Sequence, residues 1–125
     1  MRRFLVDTHA VLWWLEDAPA LSGVARAAIA DPANEPLVSA ASLWEIAIKR
    51  SLGKLSVPEE LPDEIVDAGF AWLPVAAAHA WAARDLPPHH RDPFDRILIA
   101  QAAHERLPLL TRDERFAAYG VDVRW

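Results

Sequence analysis

Short apolar runs at residues 4–6, 37–39, 71–73 and 108–110 alternate with longer stretches in which apolar residues recur at helical spacing. That alternation implies an α/β domain whose central, mainly parallel sheet of about five short strands is flanked by helices. The chain has 125 residues, which suits one domain over 1–125. A domain of this size buries roughly two-thirds of the surface its unfolded chain exposes. No internal repeat, low-complexity tract or linker-like break interrupts the pattern. Arg2 and Arg3 precede only three apolar residues before Asp7, too few for a signal peptide, so a cytoplasmic protein is expected.

Local signals set the individual elements. Phe4-Leu5-Val6 reads as the first strand, and Thr8 as the cap of a helix over 9–16. A second helix over about 21–30 closes at Asp31-Pro32. After the strand at 37–39, residues 43–52 read as a helix apolar nearly all round and therefore buried, Trp44 included, with Gly53 placed to end it. Pro58 opens a short helix to about 68, and residues 76–84 form another after the third strand. Residues 86–91, with two prolines and two histidines, are the clearest loop. Asp92-Pro93 opens a helix to about 106, residues 112–119 form a short one, and 121–124 a last strand.

Four acids fall at one kind of position in this scheme. Asp7 ends the first strand, and Glu45 lies in the first turn of the helix after the second. Asp95 lies in the first turn of the helix after the loop, and Asp113 directly follows the fourth strand. In an open parallel sheet these positions border the crevice outside the carboxyl ends of the strands, where such folds hold ligands. Ionised carboxylates sharing one small site repel each other and lose hydration, a penalty that a divalent cation removes. With 0 cysteines and an all-oxygen donor set, Mg2+ or Mn2+ fits better than a structural zinc. Such an ion activates water and neutralises phosphate oxygens, which points to hydrolysis of phosphodiester bonds.

Each acid also has a local explanation. Ser42 to Glu45 and Thr111 to Glu114 fit capping boxes, and Glu45 to Lys49 is a favourable i,i+4 pair. Asp92 reads as an N-cap with Pro93 at the first helical position, and is assigned to the cap rather than to the metal. Asp7 has no such local use. Among the cations, Arg96 and Arg112 adjoin motif acids and either meet phosphate or pair with those acids; Lys49, Arg50, Arg91 and Arg115 are further candidates. His89 and His90 either touch RNA or are solvated loop residues, the second reading being preferred; His9 either supports the first acid or, as preferred, has no metal role, and His79 and His104 carry no ligand role. Trp13 and Trp14 point about 100° apart on a helix, which leaves one of them exposed or at an interface.

The stretches Phe4-Leu-Val-Asp7-Thr8-His9, Val38-Ser-Ala-Ala-Ser-Leu-Trp44-Glu45-Ile-Ala-Ile-Lys49, Asp92-Pro-Phe-Asp95-Arg96-Ile-Leu-Ile-Ala100 and Leu109-Leu-Thr111-Arg112-Asp113-Glu-Arg-Phe116 resemble those of PIN-domain proteins. Within that family the chain looks most like the VapC-type toxins of toxin–antitoxin pairs, over essentially its whole length. The resemblance implies a three-layer fold and a Mg2+- or Mn2+-dependent endoribonuclease. It also implies a homodimer, or larger assembly, neutralised by a small antitoxin with a basic tail. Asp7, Glu45 and Asp95 match the family's acidic triad, and Asp113 its more variable fourth acid. Thr111 matches the hydroxyl residue near that fourth acid, and Thr8, Thr111, Lys49, Arg96, Arg112 and Asp92 are candidates to support the acids or the substrate.

Other chemistries are absent. The glycines lack phosphate-loop spacing, and no G-x-S-x-G elbow occurs. A net charge of −5 argues against holding nucleic acid on a broad basic face. It fits acids that recruit a metal to meet phosphate and that attract a basic tail. The rival from another class is a non-catalytic PIN-like interaction module whose acids serve helix capping and folding.

Overall fold

In the computed structural model, which describes residues 2–125, the apolar runs lie side by side in one sheet. Strands β1 (Arg3–Val6), β2 (Glu35–Ser39), β3 (Ala71–Leu73), β4 (Leu109–Leu110) and β5 (Val123–Arg124) are ordered β3-β2-β1-β4-β5. Every neighbouring pair is parallel. β1 is central: Phe4 pairs with Pro36 and Val6 with Val38 on one side, and Val6 with Leu110 on the other.

Phe4, Leu5 and Val6 are all 0% exposed, because successive strand residues point to opposite faces and both faces are covered. Phe4 and Val6 join a core with Val11, Leu21, Ile29, Ile65 and Phe70. Leu5 joins a second core with Leu98, Ile99, Leu107 and Phe116. Helices therefore form a layer on each side of the sheet, as expected of a three-layer fold.

The helices are α1 (Thr8–Leu15), α2 (Gly23–Ala30), α3 (Ala40–Ser51), α4 (Leu61–Asp67), α5 (Ala77–Ala82) and α6 (Pro93–Glu105), with 3-10 turns at Ala83–Asp85 and Glu114–Tyr119. Their starts correct several expectations. Asp7, not Thr8, caps α1. Ser39 caps α3, so Ser42 is no cap and Glu45 sits in the second turn instead of the first. Asp113, not Thr111, caps the last 3-10 helix. In each case the cap lies at or just after the end of a strand, since a parallel strand runs almost directly into the next helix. Asp92 caps α6 as expected, with Pro93 at the first helical position. Gly53 follows α3 at φ 71°, the left-handed conformation glycine favours.

Burial corrects one aromatic expectation. α3 is not buried all round: Trp44 is 64% exposed, leaning edge-on against Phe94 with ring centroids 5.2 Å apart. Trp13 and Trp14 are both half-buried, so neither is freely exposed. Trp13 packs against Trp125 at 5.9 Å.

Because β1 supplies both cores, its loss should be felt globally. Leu5→Ala is expected to cost about 2–5 kcal/mol, the usual range for a large-to-small change in a packed core. Urea unfolding should show a lower midpoint with an unchanged slope.

Candidate functional site

The end of β1 places Asp7. Its backbone N–H continues the sheet ladder to the Leu110 carbonyl at 3.0 Å. Its Oδ1 accepts from the Ala10 N–H at 3.0 Å and its Oδ2 from the Thr111 hydroxyl at 2.5 Å. Thr111 is fully buried and also accepts from the Asp113 N–H at 3.0 Å. One hydroxyl thus joins the first acid to the last. Burial pushes the Asp7 carboxyl up, against the lowering effect of the Thr111 and Ala10 donors.

Glu45 reaches the same cleft from α3. It is 4% exposed. Its Oε2 receives Lys49 Nζ at 2.8 Å, the expected i,i+4 pair. Its Oε1 is buried with no hydrogen-bond partner among the described residues. Thr8 lies apart from the acids' oxygens: its hydroxyl donates to Ser42 Oγ at 2.9 Å, locking the start of α1 onto α3.

Asp95 projects from the first turn of α6. Burial pushes it up to about 7, helped by Asp92, Glu45, Asp7 and Asp113 in that order. Asp113 behaves oppositely. Arg115 grips it with Nη2 to Oδ2 at 2.7 Å and Nε to Oδ1 at 3.0 Å, which holds it down at about 2. Two neighbouring carboxyls are therefore driven apart, Asp95 upward by burial and surrounding acids and Asp113 downward by the Arg115 guanidinium.

The cations divide differently from expectation. Arg96 does not face the acids; its guanidinium takes four backbone carbonyls of the 83–90 segment. Arg112 neither pairs with Asp113 nor stands free, since its guanidinium stacks 4.5 Å over the Trp13 ring at the cleft wall. Lys49, Arg91, Arg112 and Arg115 line the cleft, whereas Arg50 pairs with Glu59 elsewhere.

The largest correction concerns His90. It is not a solvated loop residue but 5% exposed. Its Nε2 lies 2.8 Å from Asp95 Oδ2 and 3.4 Å from Asp113 Oδ2. Its position directly before Arg91-Asp92-Pro93 is the signal that could have found it: a loop that must enter a cap leading to a motif acid brings its last side chains to that acid. His79 is buried too, at the far end of α6 from Asp95. Its Nδ1 accepts from the Ala76 N–H at 2.9 Å, so its Nε2 carries the proton given to Glu105 at 2.8 Å. With both nitrogens used, His79 is no metal ligand despite the nearby His104.

The cleft so formed holds Asp7, Glu45, Asp95 and Asp113 along one wall system of about 780 Å3. Its donor set suits a divalent cation. The unpartnered Glu45 Oε1 is the diagnostic atom, because a buried carboxylate oxygen left without a donor costs about 1–3 kcal/mol or more. Asp7, Glu45, Asp95 and Asp113 would hold such an ion, with hard oxygen ligands of the type Mg2+ and Mn2+ prefer.

Comparison with known proteins matches residues 4–122 to the PIN domain family. Ribonuclease VapC22 of Mycobacterium tuberculosis is 31% identical over 126 residues, covering 95% of this chain and 93% of that protein. The fold is shared with VapBC2 from Rickettsia felis, solved bound to a DNA fragment from its promoter. That match has a TM-score of 0.69 at 12% identity and covers 98% of this chain and 97% of the other. DNA-bound VapBC from Salmonella typhimurium gives 0.69 at 14% identity, covering 99% and 98%.

A pH dependence follows from Asp95. Its folded pKa of about 7 lies above the ordinary 3.8, so the cation-free native state binds this proton more tightly than the unfolded chain does. Stability of the chelated protein should therefore fall as pH rises from about 4 to about 7, then level off. A cation takes only the deprotonated carboxylate, so its stabilising effect should grow over the same interval. Melting curves with EDTA and with Mn2+ should show a larger metal-induced rise in Tm at about pH 8 than at about pH 5.

Proposed function

The chain belongs to the PIN domain family, and from that premise we propose that it is a Mg2+- or Mn2+-dependent endoribonuclease acting as the toxin of a cytoplasmic toxin–antitoxin pair. The whole of 1–125 serves as one catalytic domain in this reading. The observation that carries it is the buried Glu45, whose Oε1 has no hydrogen-bond partner among the described residues, in the lining of a cleft shared with three further acids. A purely structural role explains part of this set. Asp7 and Asp113 cap helical segments, but Glu45 and Asp95 cap nothing, and four acids with no cation repel. The interaction-module reading therefore leaves the least comfortable residues without a reason.

A bound divalent ion would supply Lewis acidity toward water and phosphate oxygen. The protein's own part is to hold and orient. Thr111 and the Ala10 N–H fix both Asp7 oxygens, Lys49 fixes one Glu45 oxygen, and Arg115 keeps Asp113 ionised. Arg91 and Arg112 at the rim of the cleft offer charge to the RNA backbone. No side chain acts as nucleophile, so water attack on phosphorus breaks the P–O3′ bond and leaves a 5′-phosphate and a 3′-hydroxyl.

The same acidity suits a partner. The net charge of −5 and the acid-lined cleft fit the basic tail of a small antitoxin, which would compete with RNA for the site. A second copy of the chain is the other partner. The apolar hollow walled by Trp44, Val75, Phe94 and Ile97 is the surface we assign to that homodimer.

Two measurements test these assignments. Incubating 5′-labelled RNA with Mg2+ should give 5′-phosphate and 3′-hydroxyl ends, with Asp7→Asn slower by on the order of 100-fold or more, the several kcal/mol that metal chemistry contributes. A 2′,3′-cyclic phosphate product would contradict the mechanism. Trp44→Glu should move the protein from dimer to monomer in sedimentation while leaving its circular dichroism unchanged.

A further inference from the structure

The 86–91 loop lacks secondary structure and contains Pro87 and Pro88, which cannot donate backbone hydrogen bonds. Its carbonyls nevertheless need donors wherever they leave water. One side chain supplies them. Arg96 Nη1 donates to the Pro87 and His90 carbonyls at 3.0 and 3.2 Å, and Nη2 to those of Ala83 and Leu86 at 3.2 and 3.0 Å. Arg96 is the residue after Asp95, so one turn of α6 sends a carboxylate to the cleft and a guanidinium to the loop.

His90 is pinned at every polar atom. Its N–H donates to Tyr119 Oη at 2.6 Å, and its carbonyl accepts from Arg96. Its ring leans on Phe116 with centroids 5.5 Å apart. Its Nδ1 accepts from the Asp92 N–H at 3.3 Å. A neutral imidazole that accepts at Nδ1 carries its proton on Nε2. That N–H points between Asp95 and Asp113, 2.8 Å from one Oδ2 and 3.4 Å from the other. His90 Nε2 is thus a donor to the acids and not a free ligand for a cation.

We propose that His90 is a positioning residue of the acid cleft, set in place by Arg96 through the 86–91 loop. The imidazole N–H engages Asp95 Oδ2 at 2.8 Å, while Asp113 Oδ2, 3.4 Å away, is already held by Arg115, so His90 leaves Asp95 Oδ1 as the oxygen free for a cation. Arg96 acts only through the loop: it touches no acid. The proposal rests on the divalent-metal reading of the cleft. Groups that orient a metal's ligands in this way affect metal affinity by about 10- to 100-fold.

Isothermal titration with Mn2+ alone, on the full chain, tests it. His90→Ala should weaken Mn2+ binding by about 10- to 100-fold, and His90→Gln, whose amide N–H reaches a similar point, should recover most of that loss. Arg96→Met and Arg96→Lys should reproduce His90→Ala, since neither offers a planar fork to four carbonyls. Added to His90→Ala, either should change affinity by no more than about twofold, as expected when two residues act through one route. Mn2+ affinity in His90→Ala equal to the wild type's, or tighter, would overturn the proposal; tighter binding would mean that the imidazole competes for the cation's place. A lowered Tm in Arg96→Met with Mn2+ affinity unchanged would make the loop contact merely structural, and equally overturn it. Wild-type protein that binds no Mn2+ would defeat the metal reading itself, a different result from wild-type binding that His90→Ala leaves intact.

Discussion

Asp7 is the joint on which the carboxyl edge of the sheet depends. Its main chain extends the β1–β4 ladder, one carboxylate oxygen starts α1, and the other takes the Thr111 hydroxyl. Thr111 passes the connection to the Asp113 amide. An acid ending a central strand is poorly placed for solvation, and its burial raises its pKa. The protein meets that cost with donors from two directions, which also fix where the carboxylate points. Fold and site are consequently built from the same bonds.

The remaining acids show how a fold keeps like charges together. Asp113 is held ionised by Arg115, Glu45 shares one oxygen with Lys49, and Asp95 is left to drift up to about 7. Compensation is thus incomplete by one buried oxygen and one carboxyl that readily takes a proton. Glu45 and Asp95 line the same cleft, where a divalent cation would act on both.

Much of this architecture is legible in the amino-acid order alone. The apolar runs mark four of the strands, because a strand buried on both faces has no polar alternation to blur it. The Asp92-Pro93 pair marks the start of α6, because cap and proline signals are local. What escapes depends on tertiary neighbours. Trp44 looks like core in a helix with apolar residues all round, yet α3 buries Ala41, Ser42, Glu45 and Ile46 and leaves Trp44 outward beside Phe94. Thr8 and Ser42 look like caps, yet they bond each other across 34 residues. His90 and Arg96 look like solvent and phosphate contacts, because nothing local shows a guanidinium collecting loop carbonyls. The four acids stand out by their shared relation to strand ends, a topological argument that survives errors of a residue or two.

The link between Asp7 and Thr111 spans 104 residues of chain. During synthesis the first acid therefore waits for nearly the whole polypeptide before its partner exists. At about 5–20 residues per second that delay lasts roughly 5–20 seconds. A growing chain carries Asp7 and Glu45 early but lacks the hydroxyl that orients Asp7 until β4 emerges and pairs with β1. An acid cleft arranged in this way is not complete until the chain is almost finished, and the timing is written into the strand order itself.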